Sequence, residues 1–551
     1  NCAASFIWLN KSSHRNLRSP MFKSFIVRYM FVGGLVSFLL PIPDLECANN
    51  VTKTYDKKAS VISRDLKLQE DCQKFWNLDP YKLESLCAYQ VLYHDDYSSK
   101  RIRELFPQIQ KDEVPIFATM ILTLGKVDRG FSPEEISLIQ KLSYPGLSLA
   151  SLRGSTEIDP NTDLARALVV SEFSGDLGKN RADYYSNCLD ILALRIHAER
   201  QRYLDQSPCV PGTSEFHKAT IEAINTILFY EEAVRYPSKK EMFSDEFSFL
   251  SSVTDRKFGV CLGVSSLYFS LSQRLDLPLE AVTPPGHIYL RYQGGEVNIE
   301  TTAGGRHLPT ASYCDCLDLE DLQVRTPEEM IGLTFMNQGS FALQKKKYKE
   351  AEEAYKKAQE YLGDEELQEL LGFVQILGGK KKEGKSLIGK SPRASQKGSV
   401  AYDYLKGRIN IPTLALLFSY PGSNYEEIAS YEEELKKAMK SSMPCCEGQR
   451  RLASVAFHLG KTAEAVALLE KCVEDIPNDL SLHLRLCKIL CDRHEYTKAL
   501  KYFIIAERLM EDQGFLKKDN RSFALFYEVK KIISKVAPQK ANTLLLMESE
   551  R

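Results

Sequence analysis

Between Leu262 and Leu275 the apolar residues Val264, Leu267, Tyr268, Leu271 and Leu275 recur at helical spacing, which predicts a helix with one buried face. After Asp276-Leu277-Pro278 the period changes to two. Ile288, Leu290 and Tyr292 share one face of a predicted strand, and His287, Tyr289 and Arg291 share the other. Gly294-Gly295 signals a two-residue turn, beyond which Val297 and Ile299 alternate with Asn298 and Glu300. Pairing Gln293 with Glu296 across that turn sets Tyr289 opposite Glu300 and His287 opposite Thr302. His287 and Glu300 then become diagonal neighbours on one sheet face, with Cβ atoms about 7–8 Å apart.

A longer period governs the C-terminal part. Leu452, Ala465, Leu469 and Cys472 recur 34 positions on as Leu486, Ala499, Phe503 and Ala506, a spacing that marks tetratricopeptide repeats, helix pairs that bury small residues where they cross. Ala453 and Cys487 take the same small position, and Pro477 the closing turn. Gly339, Ala342, Tyr348, Ala351, Tyr355 and Ala358 resemble another copy. Between about 366 and 445 the repeat decays, although Leu370-Leu371-Gly372 and Tyr425-Glu426-Glu427-Ile428 suggest further, irregular helix pairs. Phe523-Ala524-Leu525-Phe526 through Ile532-Ile533 predict a terminal capping helix.

Upstream, about 65 to 160 is rich in Leu, Ile, Phe and charged residues. Ile116-Phe117-Ala118-Thr119-Met120-Ile121-Leu122 is its most apolar stretch, and Ser132 before Pro133-Glu134-Glu135 is a helix start. This reads as a helical module whose role is to pack against the central core or to shape substrate access. Further back, Lys23 and Arg28 precede the apolar run Met30–Leu40, which reads as an export signal or anchor. The run is shorter than the roughly 20 residues a spanning helix needs, and Glu46 before Cys47-Ala48 is a poor cleavage site. The expected location is exported or membrane-associated.

Length and composition change the picture in two ways. At 551 residues with 44% hydrophobic content, several domains are expected. Lys+Arg 72 against Asp+Glu 73 gives no broad electrostatic case for nucleic acid. The runs Lys345–Lys347 and Lys380–Lys382 are better read as solvated helix faces than as phosphate sites.

The candidate chemistry sits where the periods change. Cys261 opens the predicted helix, where unpaired amides and the helix dipole favour thiolate, and Arg256 and Lys257 stand just upstream to add to that field. His287 supplies a base and Glu300 a carboxylate that fixes its tautomer, with Asn298 as the fallback orienter. The amides of Leu262 and Gly263 are the candidate oxyanion donors. With 14 cysteines and 9 histidines a chance pairing is easy, so the case rests on the joint arrangement: Gly before the thiol, Pro-Pro-Gly before the imidazole, an acid in hairpin register. Two other clusters read as structural. Cys314-Asp315-Cys316 near His307 lacks a fourth metal ligand, and His483, Cys487 and Cys491 fall where the repeat register makes Cys487 a packing residue. Cys445-Cys446 is a vicinal pair whose geometry seldom suits a disulfide. No cofactor or metal is called for.

Residues from about 160 to 320 resemble the SirB-type transglutaminase-like proteins, a branch of the papain-like transglutaminase superfamily. The resemblance is carried by Arg256-Lys257-Phe258-Gly259-Val260-Cys261, Leu267-Tyr268, Arg274-Leu275-Asp276-Leu277, Pro285-Gly286-His287 with Arg291, and Glu300-Thr301-Thr302-Ala303-Gly304-Gly305. Asp163-Leu164-Ala165-Arg166-Ala167 through Tyr184, Ser186, Leu189 and Asp190 match its leading helices. The resemblance implies a triad of Cys261, His287 and an acid, with Glu300 standing where the superfamily usually has Asp. The family also includes members without the cysteine.

The expected architecture is α+β and mostly helical, a transglutaminase-like (papain-like) core followed by an α-solenoid of tetratricopeptide repeats. Its parts are a leader (1–48), a helical module (49–159), the transglutaminase-like domain (160–325) and the repeat array (330–551). Two functions fit: a cysteine hydrolase or acyl transferase acting on an amide through a thioester, with repeats recruiting a protein or peptide, or a non-catalytic assembly protein that binds through the repeats.

Overall fold

The computed structural model describes residues 82–124, 130–142, 163–173, 175–237, 245–284, 286–310, 313, 322–440, 445–512 and 524–536. The leader and the Cys314/Cys316 pair lie outside the described residues.

Among the described residues four short helices, α1 (Leu83–Tyr93), α2 (Asp96–Leu105), α3 (Val114–Thr123) and α4 (Pro133–Leu142), come first. The apolar stretch that begins at Ile116 lies in α3. Ser132 starts α4 as the sequence predicts: its hydroxyl accepts from the Glu135 N–H at 3.2 Å and the Glu135 carboxylate accepts from the Ser132 N–H at 2.8 Å. The module buries Leu86, Ile102, Phe117 and Ile139 together with Ile191, Leu194 and Ala198 of a long helix further along the chain.

The middle of the chain contains α5 (Leu164–Glu172), that long helix α6 (Gly175–Gln206), α7 (Ser214–Asn225), α8 (Leu250–Arg256) and α9 (Cys261–Arg274). Five antiparallel strands come after α9, β1 (Leu279–Thr283), β2 (Tyr289–Tyr292), β3 (Val297–Glu300), β4 (Arg306–His307) and β5 (Gln323–Arg325), in the order β4-β3-β2-β1-β5. Leu290 pairs with Ile299 and Tyr292 with Val297, the register read from the sequence. The turn is made by Gly294 and Gly295, both at positive φ (63° and 114°). Leu290, Tyr292 and Ile299 face the helices, while Tyr289 and Val282 pack on the other side with Tyr313.

Several residues that carry the family resemblance turn out to hold this fold together. The fully buried guanidinium of Arg274, at the end of α9, donates to Asp190 at 2.7 Å, to both oxygens of Asp163 at 3.1 and 2.8 Å and to Ser186 at 3.0 Å. Asp163 also caps α5 by accepting from the Ala165 N–H. A buried arginine whose donors are matched by carboxylates fixes three helices in one arrangement.

The array begins with α10 (Pro327–Gln344) and α11 (Tyr348–Ala358), followed by α12 (Glu365–Leu377) and α13 (Lys381–Ile388). Gly339, Ala351 and Tyr355 recur 33 positions on as Gly372, Gly384 and Ile388, so the stretch read as the start of the decay is a second regular hairpin. The regularity escapes notice because glycine takes both crossing positions. A Cβ on Gly384 would lie 2.4 Å from the Gly372 carbonyl oxygen, an approach only glycine permits. The next described helices, α14 (Val400–Leu405), α15 (Ile411–Leu417) and α16 (Tyr425–Lys440), are irregular in length and spacing. Two further hairpins, α17 (Cys446–His458) with α18 (Thr462–Asp475) and α19 (Leu480–Asp492) with α20 (Tyr496–Asp512), precede the capping helix α21 (Ala524–Val536).

The basic runs are tied into local ion pairs, Lys347 with Glu350 at 3.0 Å and Lys380 with Glu352 at 2.8 Å. His483 donates through Nε2 to the Pro477 carbonyl at 2.6 Å, and Cys487 is fully buried at the crossing of α19 and α20. Helix α19 is buried from Leu482 to Cys491, with Lys488 held by Asp492 and by Glu528 of α21.

One core runs without a break from α5 through α9 and the sheet into α10, α11 and α12. Met330, Ile331 and Leu333 of α10 belong to it, and Arg325 at the end of β5 bonds Asp364, just before α12, at 2.9 and 2.8 Å. Among the described residues no helix is long and apolar enough to cross a membrane.

Candidate functional site

Cys261 is the first residue of α9. Val264 N–H to the Val260 carbonyl is the first bond of its ladder, so the amides of Cys261, Leu262 and Gly263 precede it. The helix start is wedged tightly. A Cβ on Gly259 would meet Val253 at 2.6 Å, and one on Gly263 would meet the Phe247 carbonyl oxygen at 2.4 Å. The glycines flanking the thiol are therefore there because α8 and the segment at Phe247 press against it. The strand-like pairing of Arg235 with Phe258, through Gly259 N–H to the Arg235 carbonyl at 3.0 Å, fixes the approach to Cys261 from the other side.

His287 stands two residues before β2, after Gly286 at φ 75°, a left-handed conformation that favours glycine. Its Nε2 donates to Glu300 Oε2 at 2.8 Å. The diagonal contact expected from the hairpin register is present. With Nε2 engaged, Nδ1 is the ring nitrogen left for the thiol, and the imidazole and the thiol each shift the other's proton affinity. Glu300 is fully buried at the end of β3, and its other oxygen, Oε1, accepts from both the N–H (3.1 Å) and the hydroxyl (2.5 Å) of Thr302. The extra methylene of Glu relative to Asp is accommodated here.

Charge in the site is arranged to separate. Burial pushes the Cys261 thiol up, but the hydrogen bond and positive charge of His287, aided by the Ile288 N–H, outweigh it, and the thiol is held below its ordinary value. Burial alone would lower His287, yet the Glu300 carboxylate and the Cys261 sulfur raise it well above the ordinary imidazole range. Glu300, despite its burial, is held down to about 2 by the imidazolium and by Thr302. All three shifts favour a thiolate, imidazolium and carboxylate in sequence.

Asn298 does not serve as the orienter. Its amide donates to the Leu308 carbonyl and to Thr310 Oγ1, both at 2.9 Å, so it anchors the loop after β4 and leaves His287 to Glu300. Lys257 contributes less to the thiol than the sequence suggests, since its ammonium is paired with Glu232 at 2.6 Å. Three contributors were not foreseen. The ring of Tyr313 lies parallel to His287 at 5.9 Å and stacks on Tyr289 at 3.8 Å, walling the sheet side of the site. Ser265 shares a hydrogen bond of 3.0 Å with Thr301. Thr302 is the one with a sequence signal: the register puts it opposite His287.

Comparison with known proteins agrees with this geometry. Residues 184–332 match the family model of the transglutaminase-like superfamily, and residues 334–361 match that of the tetratricopeptide repeat. The chain thus carries a transglutaminase-like domain continued by tetratricopeptide structure. No curated protein matches it. The crystal structure of the yeast Tom70 aligns with 91% of this chain and 100% of its own at 12% identity, with a TM-score of 0.20, too low to define a shared fold.

Proposed function

We propose that this protein is a cysteine hydrolase or acyl transferase of the SirB-type transglutaminase-like branch, acting on an amide through a thioester on Cys261, with its repeat array binding a protein partner. The observation that carries the reading is the bond of 2.8 Å between His287 and the buried Glu300, with the His287 charge holding the Cys261 thiol below its ordinary value. The Cys261 thiolate attacks the amide carbonyl, forming a C–S bond and a tetrahedral oxyanion that faces the helix start, where the amides of Leu262 and Gly263 are the proposed donors. As the intermediate collapses, the C–N bond breaks and His287 gives its proton to the departing amine. The thioester then passes its acyl group to water or to a second amine, which His287 deprotonates, and the thiol is regenerated.

The test is intact-protein mass spectrometry after incubation with cell extract. An acyl adduct on Cys261, absent from Cys261→Ser and lost on hydroxylamine treatment, is expected. Absence of any adduct, together with a Cys261 that alkylates no faster than free cysteine at pH 7, would instead favour a pure binding protein.

A further inference from the structure

The carboxylate that faces His287 is itself held by a pair of bonds from one residue. Glu300 has three rotatable side-chain bonds, one more than the shorter acid, and a carboxylate on such an arm visits several orientations unless something else fixes it. Oε2 points at His287, and Oε1 points the other way, into Thr302. Both donors of Thr302 converge on that one oxygen, the N–H at 3.1 Å and the hydroxyl at 2.5 Å, and the carboxylate has no exposure to solvent. The backbone bond doubles as the cap of the short 3-10 turn Thr301–Ala303, so that part is available to any residue with an N–H. The hydroxyl bond is not. It requires Ser or Thr at this position and a side chain turned back toward the acid.

From this geometry we infer that Thr302 is a positioning residue of the site: its hydroxyl pins Glu300 Oε1, keeps the buried carboxylate ionised and leaves Oε2 as the single partner of His287. The inference rests on the functional reading above, since it gives Thr302 a task only if His287 must be held as an imidazolium beside Cys261. It also accounts for the longer acid. The longer arm reaches past the end of β3, and Thr302 replaces the rigidity that a shorter side chain would have by itself. A hydrogen bond to an ionised oxygen inside a protein is among the stronger kinds, and its loss from a buried carboxylate favours the protonated acid.

The experiment tracks the Glu300 side-chain carbon by NMR across pH in protein labelled at glutamate, assigned by its absence in Glu300→Gln. In Thr302→Val, which keeps shape and N–H but removes the hydroxyl, Glu300 is expected to titrate about one pH unit higher than in the wild type, a tenfold change in its proton affinity. Thr302→Ser restores the wild-type value. A residue that merely caps a turn would change the melting temperature and leave the Glu300 titration where it was, and that result, or failure of Thr302→Ser to restore it, overturns the inference. If Thr302→Val does not fold, exchange of the Thr302 hydroxyl proton in the wild type decides the question: slow exchange with water supports the bond, and exchange as fast as a surface threonine removes it. A wild-type Cys261 that alkylates like free cysteine rejects the functional reading itself. A reactive Cys261 with an unmoved Glu300 titration rejects only the role of Thr302.

Discussion

Ser265 and Thr301 share a buried hydrogen bond of 3.0 Å, one helical turn beyond Cys261 and one residue after Glu300. It ties the helix that carries the thiol to the strand end that carries the acid, directly behind the site. Replacing Ser265 with alanine leaves Thr301 without this partner in a dry environment, at a cost of about 1–3 kcal/mol. Ser265→Ala is expected to lower the denaturation midpoint and to slow Cys261 alkylation several-fold, measured on the folded protein.

Removing the imidazole separates the two influences on the thiol. With His287 gone, burial and the Glu300 charge push the Cys261 thiol upward against the Ile288 N–H alone. His287→Ala should therefore move thiolate formation from below that of free cysteine to above it. At pH 7 alkylation should fall from about tenfold faster than free cysteine to slower than it. In Glu300→Gln the imidazolium loses its counter-charge, so the His287 titration, monitored by NMR, moves to lower pH.

Glu300 also links the site to acid stability. Its folded value of about 2 lies below the ordinary 4.5, so it stabilises the fold fully above about pH 4.5, and the contribution disappears as the pH falls from 4.5 toward 2. Thermal midpoints measured through that window should drop more steeply for the wild type than for Glu300→Gln.

Two glycines in the array separate close packing from simple flexibility. Gly384→Ala drives a Cβ to 2.4 Å from the Gly372 carbonyl oxygen, and overpacking of this kind costs about 1–3 kcal/mol. Gly363→Ala meets nothing within 4 Å at a φ that alanine accepts, and should be neutral or stabilising by up to about 1 kcal/mol. Urea denaturation of the two variants distinguishes them.

The continuous core makes a prediction about where the chain can be cut. A protein ending at residue 329 strips Met330, Ile331 and Leu333 from the centre of the transglutaminase-like domain, whereas one ending at 363 keeps the first hairpin against it. The shorter protein is expected to be insoluble or to lack a cooperative transition. The longer one should melt cooperatively and retain Cys261 reactivity, as checked by calorimetry and alkylation.

How much is legible in the sequence depends on the reach of each signal. Period-two alternation and a Gly-Gly turn fix the register of β2 and β3, and register alone brings His287 to Glu300. The Cys261 helix is equally local, announced by its apolar stripe and the break at Asp276-Leu277-Pro278. The second hairpin is obscured because its crossing uses Gly372 and Gly384, which carry no hydrophobic signature. Tyr313 and the Ser265–Thr301 bond depend on chain segments meeting from a distance, which no periodicity records. Arg274 and Asp163, prominent as motif residues, carry structure where a motif invites a reading of function. Asn298, chemically suited to orient an imidazole, is engaged by Leu308 and Thr310, and only tertiary geometry decides between those uses.

The shared core at α10 bears on how the two halves work together. A binding module joined by a flexible linker offers its cargo to an active site at an effective concentration set by linker length. Here α10 is at once the first helix of the array and part of the interior that supports α9. On the proposed function, a partner bound on α10 to α12 would meet Cys261 at a distance and bearing set by that shared interior, as a ruler sets a length.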